Sequence, residues 1–497
     1  MRREVWASRI GLVLAAAGNA IGLGNLLRFP SKVALYGGGA FMLPYFLALF
    51  FMGIPLMFLE WVIGAYGGVK GRGSMVGIFG AMFKESNVAR IIGSLGVVIP
   101  LLICCYYIYI ESWTLGFAWM SLFGELPKPL VTKGLEESLE PFLNFLRDYL
   151  RPSFWALFFL GITLAFNAFV LLLGIRKGIE KTAIIGIPLL IGMGVFLAIL
   201  SLSLKGGRGV EGLLFIFKAD LSKLADPQVW IEATGQIFFT LSLGMGCMAA
   251  YASYIRKKEA VLKAALQTTM LNEVVEIGLG ATIAIPAAFA MFGASSVQKL
   301  AQEGTFRIGF MSMPAILLSL PLGNVVAFMW FLLLFLAALT SSLALAQPVI
   351  AFFEEERGWP HRKAVLATII LISIGGALSA FVPSFIDELD FWIGTLFLVI
   401  FALVETVAFV FILLPKDRNV IVSLSENFNI NITRRMSFFY IIPTAILTAL
   451  LYQWIIANPI LSLTKLTWNL LITRLFIIFV ILIFSILSLK VKRNYFM

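Results

Sequence analysis

The chain divides into twelve long apolar stretches joined by polar segments. They lie near 9–33, 39–66, 90–122, 154–174, 180–203, 230–254, 262–289, 323–353, 363–382, 387–414, 437–456 and 468–489. About 20 apolar residues let a helix cross the hydrocarbon of a bilayer, so each stretch predicts one membrane span. Three joints are longer, roughly 123–153, 204–229 and 290–322. The last has Pro314 and Pro321 around an apolar run, which predicts a folded cap rather than a slack loop.

Two spans are interrupted. The first reads Asn19-Ala20-Ile21-Gly22-Leu23-Gly24-Asn25-Leu26-Leu27-Arg28, and the sixth reads Phe239-Thr240-Leu241-Ser242-Leu243-Gly244-Met245-Gly246. Freed amides and carbonyls find no water in a bilayer, at a cost of several kcal/mol per group, so a broken span is a poor anchor. Its backbone groups can instead hold an ion or a small solute. If spans one to five and six to ten are two repeats, the breaks fall in corresponding helices. Paired breaks of that kind point to a midplane site in an inverted-repeat transporter. In span five, Gly178 precedes Pro188 by ten residues. Two readings stay open there, a static proline kink or local unwinding that opens a water path.

Composition agrees with membrane residence. The 497 residues are 60% hydrophobic and 13% charged, with a mean hydropathy of +0.96, whereas soluble domains run near 45–50% apolar and about 25% charged. The net charge of +11 raises a nucleic-acid reading, but the basic residues follow topology. With the N-terminus inside, most of the 38 Lys and Arg fall in the inner loops and both tails. Examples are Arg2, Arg3 and Arg9, Lys70 and Arg72, Arg176 and Lys177, Arg256 and Lys257, Arg362 and Lys363, and Lys490 and Lys492. That is the positive-inside pattern, and nucleic acid is not needed to explain it. Cys104, Cys105 and Cys247 sit inside predicted spans, with no disulfide framework or metal motif, and the neighbours Cys104 and Cys105 are expected to be core filler. No short apolar segment with a small-residue cleavage site precedes the first span, so no removable signal peptide is expected. No nucleophile–base constellation appears either, and an enzyme is not expected.

These segments resemble the neurotransmitter:sodium symporter family, in particular its prokaryotic amino-acid members. The matching stretches are Trp6 through Pro30, Gly37-Gly38-Gly39-Ala40-Phe41, Ile54-Pro55-Leu56 with Glu60-Trp61, and Tyr106-Tyr107 with Glu111-Ser112-Trp113. Further along are Gly235 through Ser242, Tyr251-Ala252-Ser253-Tyr254, Leu271-Asn272-Glu273, Leu339-Thr340-Ser341-Ser342 and Asp387 through Trp392. They run through spans one to ten in order. The resemblance implies an all-α integral membrane protein of twelve transmembrane helices, a 5+5 inverted repeat with helices one and six broken. It implies one transporter domain over 1–497, with repeats at 9–203 and 230–414 and two accessory helices at 437–489. It further implies sodium-coupled symport of hydrophobic L-amino acids by alternating access across the cell membrane, with both termini cytoplasmic. The lipid bilayer and the amino acid are the partners, and a homodimer is compatible with the family. A non-transporting amino-acid receptor of the same fold, or a channel, is the alternative.

The resemblance also assigns residues. The substrate pocket would be formed by Asn19, Ala20, Leu23, Gly24, Ile103, Tyr107, Phe239, Thr240, Ser242, Met245, Ser341 and Leu345. A substrate carboxylate would face the half-helix that begins after the first break, where the helix dipole favours an anion, and Tyr107 would donate to it. Family members that carry amines without a carboxylate have an aspartate at Gly22, so this substrate brings its own. About two sodium ions, hard cations that take oxygen ligands, would be carried, with no organic cofactor. Sodium site one would use Asn25, Thr240, Asn272 and the Ala20 carbonyl, with the substrate carboxylate completing it. Site two would use the carbonyls of Gly18, Ile21 and Ala337 with the hydroxyls of Thr340 and Ser341. Glu276 would supply the negative charge that chloride gives to relatives with a neutral residue there, hence chloride-independent transport. Arg28 with Asp390 would gate the outer side, directly or through water, and Arg3 with Glu355 the inner side, with Trp6 beneath. Glu60, Glu111 and Glu405 are expected to satisfy freed backbone or packing partners. Residues 182–202 contain no lysine, arginine or histidine to replace a sodium ion, and the single histidine, His361, is expected to be solvated in an inner loop.

Overall fold

Helices form where the apolar stretches predict them. The computed structural model describes residues 4–129, 135–256, 260–302, 307–428, 438–457 and 467–489. Span one is a bent pair, Arg9–Ala20 and Gly24–Leu35, with 50° between its halves. Spans two to five are Gly39–Val69, Asn87–Phe123, Phe154–Leu172 and Ile175–Phe217. Span six is split into Pro227–Thr240 and Cys247–Ala252. Spans seven to ten are Val261–Phe292, Gly323–Arg357, His361–Phe381 and Phe385–Lys416. Spans eleven and twelve are Ile441–Ala457 and Trp468–Ser488. Nine of these helices are individually long and apolar enough to cross a membrane, and the bent first pair makes ten. The remaining two of the twelve are the broken sixth and the shorter eleventh.

Helix ends follow local chemistry. Ser8 Oγ accepts the Gly11 N–H at 2.9 Å to start span one, and Ser153 Oγ accepts that of Ala156 at 3.2 Å to start span four. A serine hydroxyl in this position satisfies one of the donors that a helix start leaves free. Span three ends on Gly124, whose φ of +73° is a left-handed cap. The third span is buried over 83% of its apolar window and the twelfth over 17%, so the former is central and the latter lies at the rim. Span three runs along span eight, and span five along span seven.

Two joints carry more local structure than apolar length alone conveys. Span five breaks where expected, with non-helical backbone from Leu204. The chain turns through Lys205, Gly206 and Gly207, all at positive φ, and resumes as helix to Phe217. There Gly212 meets the backbone of Pro286 and the Phe289 side chain so closely that a Cβ would lie 2.7 Å from both. His361 keeps a half-exposed side chain, as expected near a joint, but is bonded on both sides. It opens span nine, with Nδ1 2.6 Å from Glu354 Oε1 and Nε2 3.0 Å from the Leu171 carbonyl oxygen. A polar residue at a short joint between two spans has helix-end acceptors on both sides, and apolar patterning does not register them.

The longer joints are folded. One contains the helix Leu135–Leu150. The expected cap at 290–322 contains the helix Ala294–Gln302 and helical turns over Ile308–Leu317. Lys299 pairs with Glu136 across these two joints, and that hydrogen bond and charge hold the Glu136 carboxyl below its usual range.

Candidate functional site

The helix of span one stops at Ala20, and Ile21 leaves helical geometry with φ −76° and ψ 87°. The freed N–H of Gly22 donates to Asn25 Oδ1 at 2.9 Å, and that of Leu23 to the Tyr107 hydroxyl at 3.3 Å. A π-helical turn over Gly24–Arg28 then begins the second half. In span six the break runs through Ser242, Gly244 and Gly246 at φ of +53°, +69° and +72°. The Gly244 N–H donates to buried Glu60 Oε1 at 2.6 Å. Glu60 thus satisfies freed backbone, as expected. A Cβ on Gly244 would lie 2.2 Å from the Leu398 carbonyl oxygen, so glycine is required there on both conformational and steric grounds. Ser242 has no such freedom, and a left-handed non-glycine residue marks strain kept at a functional position.

The two breaks face each other across a cavity of about 30 Å³, lined by Asn19, Ala20, Gly22, Gly24, Asn25, Ile103, Tyr107, Phe239, Ser242, Met245, Ser341 and Leu345. Ten of the twelve expected pocket residues are among them. The other two, Leu23 and Thr240, lie just outside. Leu23 lines a second cavity of about 280 Å³ with Arg28, Lys32, Tyr106, Asp387 and Asp390, and Phe239 stands between the two spaces. Thr240 turns toward span seven.

Four side chains from three spans converge there. Asn25 Nδ2 lies 3.0 Å from Thr240 Oγ1, 2.9 Å from Asn272 Oδ1 and 3.3 Å from Glu276 Oε2. Asn272 Nδ2 donates to Thr240 Oγ1 at 3.0 Å and to Glu276 Oε2 at 3.3 Å. The Thr240 hydroxyl also bonds to Glu276. All four are buried, at 0–1% exposure. This joins the three side chains expected at the first ion site, Asn25, Thr240 and Asn272, with the Glu276 carboxylate inside the same network. Gln236, to which the sequence reading gave no role, donates from Nε2 to Glu276 Oε1 at 2.7 Å. Its spacing is the signal that could have found it, since it lies one helical turn before Thr240 on the same face.

Of the five residues expected at the second ion site, Gly18, Ala337, Thr340 and Ser341 lie close together. Ser341 Oγ lies 3.4 Å from the Gly18 carbonyl oxygen and 3.2 Å from that of Ala337. Thr340 Oγ1 lies 3.2 Å from the Ala337 carbonyl oxygen, and a Cβ on Gly18 would fall 2.9 Å from Thr340 Cβ. Carbonyls at a helix break and hydroxyls of a facing helix form an oxygen-rich set suited to a small hard cation. Among the described residues, no group of three His, Cys, Asp or Glu could hold a metal ion.

The gate residues divide. Arg28 and Asp390 line the larger cavity without a direct ion pair. The Arg28 guanidinium lies 4.8 Å over the Phe239 ring, and Asp390 Oδ1 accepts from the Tyr106 hydroxyl at 2.8 Å. At the N-terminal end, Glu355 Oε2 accepts the N–H groups of Gly73 at 2.7 Å and Ser74 at 3.2 Å, while Arg3 lies outside the described residues. Trp6 is buried, donating from Nε1 to the Tyr251 carbonyl oxygen at 2.9 Å. The structure therefore has its larger cavity on the side away from the N-terminus and packed side chains on the other. Away from both ion clusters, Glu111 Oε1 accepts from Asn167 Nδ2 at 2.9 Å, and Asn167 Oδ1 accepts from Ser342 at 2.9 Å. Asn167 was missed by the sequence reading, although an amide in the middle of an apolar span is itself a signal.

The comparisons with known proteins find a single family. The profile described as "Sodium:neurotransmitter symporter family" matches residues 3–136 and 155–493. An uncharacterized sodium-dependent transporter of Methanocaldococcus jannaschii is 31% identical over 384 residues, covering 75% of this chain and 74% of its own. A sodium- and chloride-dependent taurine transporter of Bos taurus is 28% identical over 412 residues, covering 75% of this chain and 64% of its own. Among solved structures, the crystal structure of MhsT in complex with L-phenylalanine matches with a TM-score of 0.76 at 28% identity, over 92% of this chain and all of that one.

Proposed function

The chain belongs to the sodium:neurotransmitter symporter family, and we propose that within it the protein is a chloride-independent symporter of hydrophobic L-amino acids. It is a sodium-dependent membrane transporter, as its relatives are, and not an enzyme. The observation that carries the finer reading is the cavity between the two breaks. It pairs backbone N–H groups and the Tyr107 hydroxyl on one side with the apolar walls of Ile103, Phe239, Met245 and Leu345 on the other. A carboxylate finds donors in the first set, and an uncharged side chain fits the second. No ionised side chain lines this space. That MhsT binds L-phenylalanine supports the same class of cargo.

Phe239 and Met245 are among the walls of this space, and their repacking would adjust it to different side chains. Methionine adapts readily to such repacking. Against the family's bacterial leucine-carrying member, Ile103 stands for a smaller valine and Met245 for a phenylalanine. The two changes act on volume in opposite directions. An apolar pocket separates cargoes by only about 1–3 kcal/mol per methylene, so a range of hydrophobic side chains is accepted.

Sodium provides the driving force. At 100 mV each inward ion releases about 2.3 kcal/mol, and a tenfold gradient adds about 1.4 kcal/mol. Two ions suffice for roughly a 10⁵-fold accumulation. In this reading the N-terminus is cytoplasmic, and the larger cavity on Arg28 and Asp390 faces outward.

Gly22 gives a direct test of the carboxylate requirement. Phenethylamine keeps the aromatic side chain and the amine of phenylalanine but lacks the carboxylate. It is expected to bind at least about 100-fold more weakly than L-phenylalanine in sodium, as read by competition against the labelled amino acid. Equal competition by the two would overturn this assignment of the half-helix and Tyr107.

A further inference from the structure

Asp390 lines the larger cavity, but Glu388, two residues earlier in span ten, reaches span twelve instead. Glu388 is 7% exposed. Arg474 holds both of its oxygens, with Nε 3.0 Å from Oε2 and Nη2 3.3 Å from Oε1. The Trp392 indole N–H donates to the same Oε2 at 3.0 Å, and the guanidinium lies 5.7 Å from the centre of the Trp392 ring. Beside this pair, the Phe476 ring packs against Phe385 with centroids 5.6 Å apart. Arg474 is the sole ionisable side chain of the helix Trp468–Ser488, which is buried over only 17% of its apolar window. An ionisable residue in a membrane helix is costly and marks a function by default. The two-pronged pairing of guanidinium and carboxylate fixes geometry as well as charge.

The other end of span twelve is held too. The carbonyl oxygen of Leu487 accepts from Arg357, and that of Ser488 accepts from Arg90 Nε at 2.8 Å. Cations suit a helix C-terminus, and these two come from the end of span eight and the start of span three. Glu356 pairs with Arg90 and, at 3.1 Å, with Arg72, so the anchor is itself braced. Span three meets span ten again at its middle, where the Tyr106 hydroxyl donates to Asp390 Oδ1 at 2.8 Å. That bond is closely packed. A Cβ on Gly394 would fall 2.8 Å from Asp390 Oδ1 and 2.9 Å from the Tyr106 oxygen. Polar ties therefore close a triangle: three to twelve at Arg90, twelve to ten at Arg474, ten to three at Asp390.

We propose that span twelve is a strut between span three and the outer turn of span ten, and that Arg474 positions Asp390 for the outer gate. Arg474 lines neither cavity and belongs to neither ion cluster. It is a positioning residue, acting through Glu388. Loss of the guanidinium leaves a buried carboxylate without its partner. Glu388 then turns toward water and carries the first turn of span ten with it. Asp390 is drawn off Tyr106, and the gap to Arg28 no longer closes over the cargo. A lysine at 474 keeps the charge without the fork, so it restores the tie in part.

The strut rests on the reading of Arg28 and Asp390 as the outer gate, and two measurements on the full chain separate the two ideas. The first is a distance. Spin labels go on Leu122→Cys and Pro383→Cys, exposed positions at the end of span three and just before span ten, with the buried native cysteines left in place. Wild type is expected to give one narrow distance, and Arg474→Met a broadened and shifted one. The second is the rate at which bound, labelled L-phenylalanine leaves the purified protein in sodium. It is expected to rise about tenfold in Arg474→Met, with Arg474→Lys between the two. A role in stability alone would lower the amount of protein that binds and leave that rate untouched. If Arg474→Met cannot be purified folded, Arg474→Met with Glu388→Gln removes the buried charge with its partner and carries the same prediction. Should wild type not hold L-phenylalanine, the cargo assignment fails, and the distances alone decide the strut. Broadened distances with a wild-type departure rate would remove the gate reading and the role of Arg474 with it. Wild-type distances in the Arg474 variants would overturn the strut itself.

Discussion

Removal of the Glu276 charge is expected to make chloride useful to this transporter. Wild-type uptake is expected to be equal in chloride and in gluconate. Glu276→Ser, which removes the charge and opens a space, is expected to lose at least about 100-fold of its uptake in gluconate and to regain much of it in chloride. The reason is electrostatic. Glu276 is fully buried among Gln236, Thr240, Asn25 and Asn272, which direct N–H and O–H groups at its two oxygens. A sodium ion held by the same asparagines and threonine would sit within a few ångströms of the carboxylate. At about 4 Å and an effective dielectric constant near 20, that proximity is worth about 4 kcal/mol, or roughly three orders of magnitude in ion affinity. Glu276→Gln keeps the shape without the space, so it shows the loss with little chloride rescue. A wild type that needs chloride, as the name of the taurine relative says of that protein, would remove Glu276 from this role. So would a Glu276→Ser variant indifferent to the anion.

The second large effect belongs to the amides. Asn272→Ala and Asn25→Ala are each expected to raise the half-saturating sodium concentration about 10- to 100-fold, with a parallel loss of apparent affinity for the amino acid. Each removes an oxygen ligand from a hard cation. Each also leaves buried partners unpaired, at about 1–3 kcal/mol per group. Asn25 and Asn272 each bridge Thr240, Glu276 and the other amide, so both losses are costly. The loss of amino-acid affinity follows from linkage. If the cargo carboxylate completes the ion's coordination, weakening one ligand weakens the other by the same factor. Sodium activation curves of uptake at fixed amino acid check this. Unchanged sodium dependence in both variants would exclude the first ion site as drawn.

The spans, their breaks and the pocket walls were legible in the sequence for a physical reason. A bilayer permits few ways to satisfy backbone groups, so apolar length and misplaced glycines carry most of the architecture. Asn25, Thr240 and Asn272 are polar residues inside apolar helices, and the structure brings them to 2.9–3.0 Å of one another. What stayed hidden depends on tertiary contact. The helix that follows the break at Leu204–Gly207 and runs to Phe217 lies in a joint to which apolar length assigns no structure. Nothing local says that Gly212 packs against Pro286 and Phe289. Glu180 reads as one more charge beside Lys181 at a span end, and only the fold brings it to the start of span one. Asn167 could have been flagged as an amide in span four, but its partners Glu111 and Ser342 lie in spans three and eight.

Sodium-driven transport of hydrophobic amino acids is the claim on which the rest depends. Its most direct test is uptake by proteoliposomes of a panel of the twenty amino acids, in chloride-free medium, with and without an inward sodium gradient. The account predicts concentrative uptake of several hydrophobic L-amino acids, exclusion of charged ones, and collapse of the signal when sodium is equal on both sides. Uptake that ignores the sodium gradient, or a panel led by charged side chains, would contradict it.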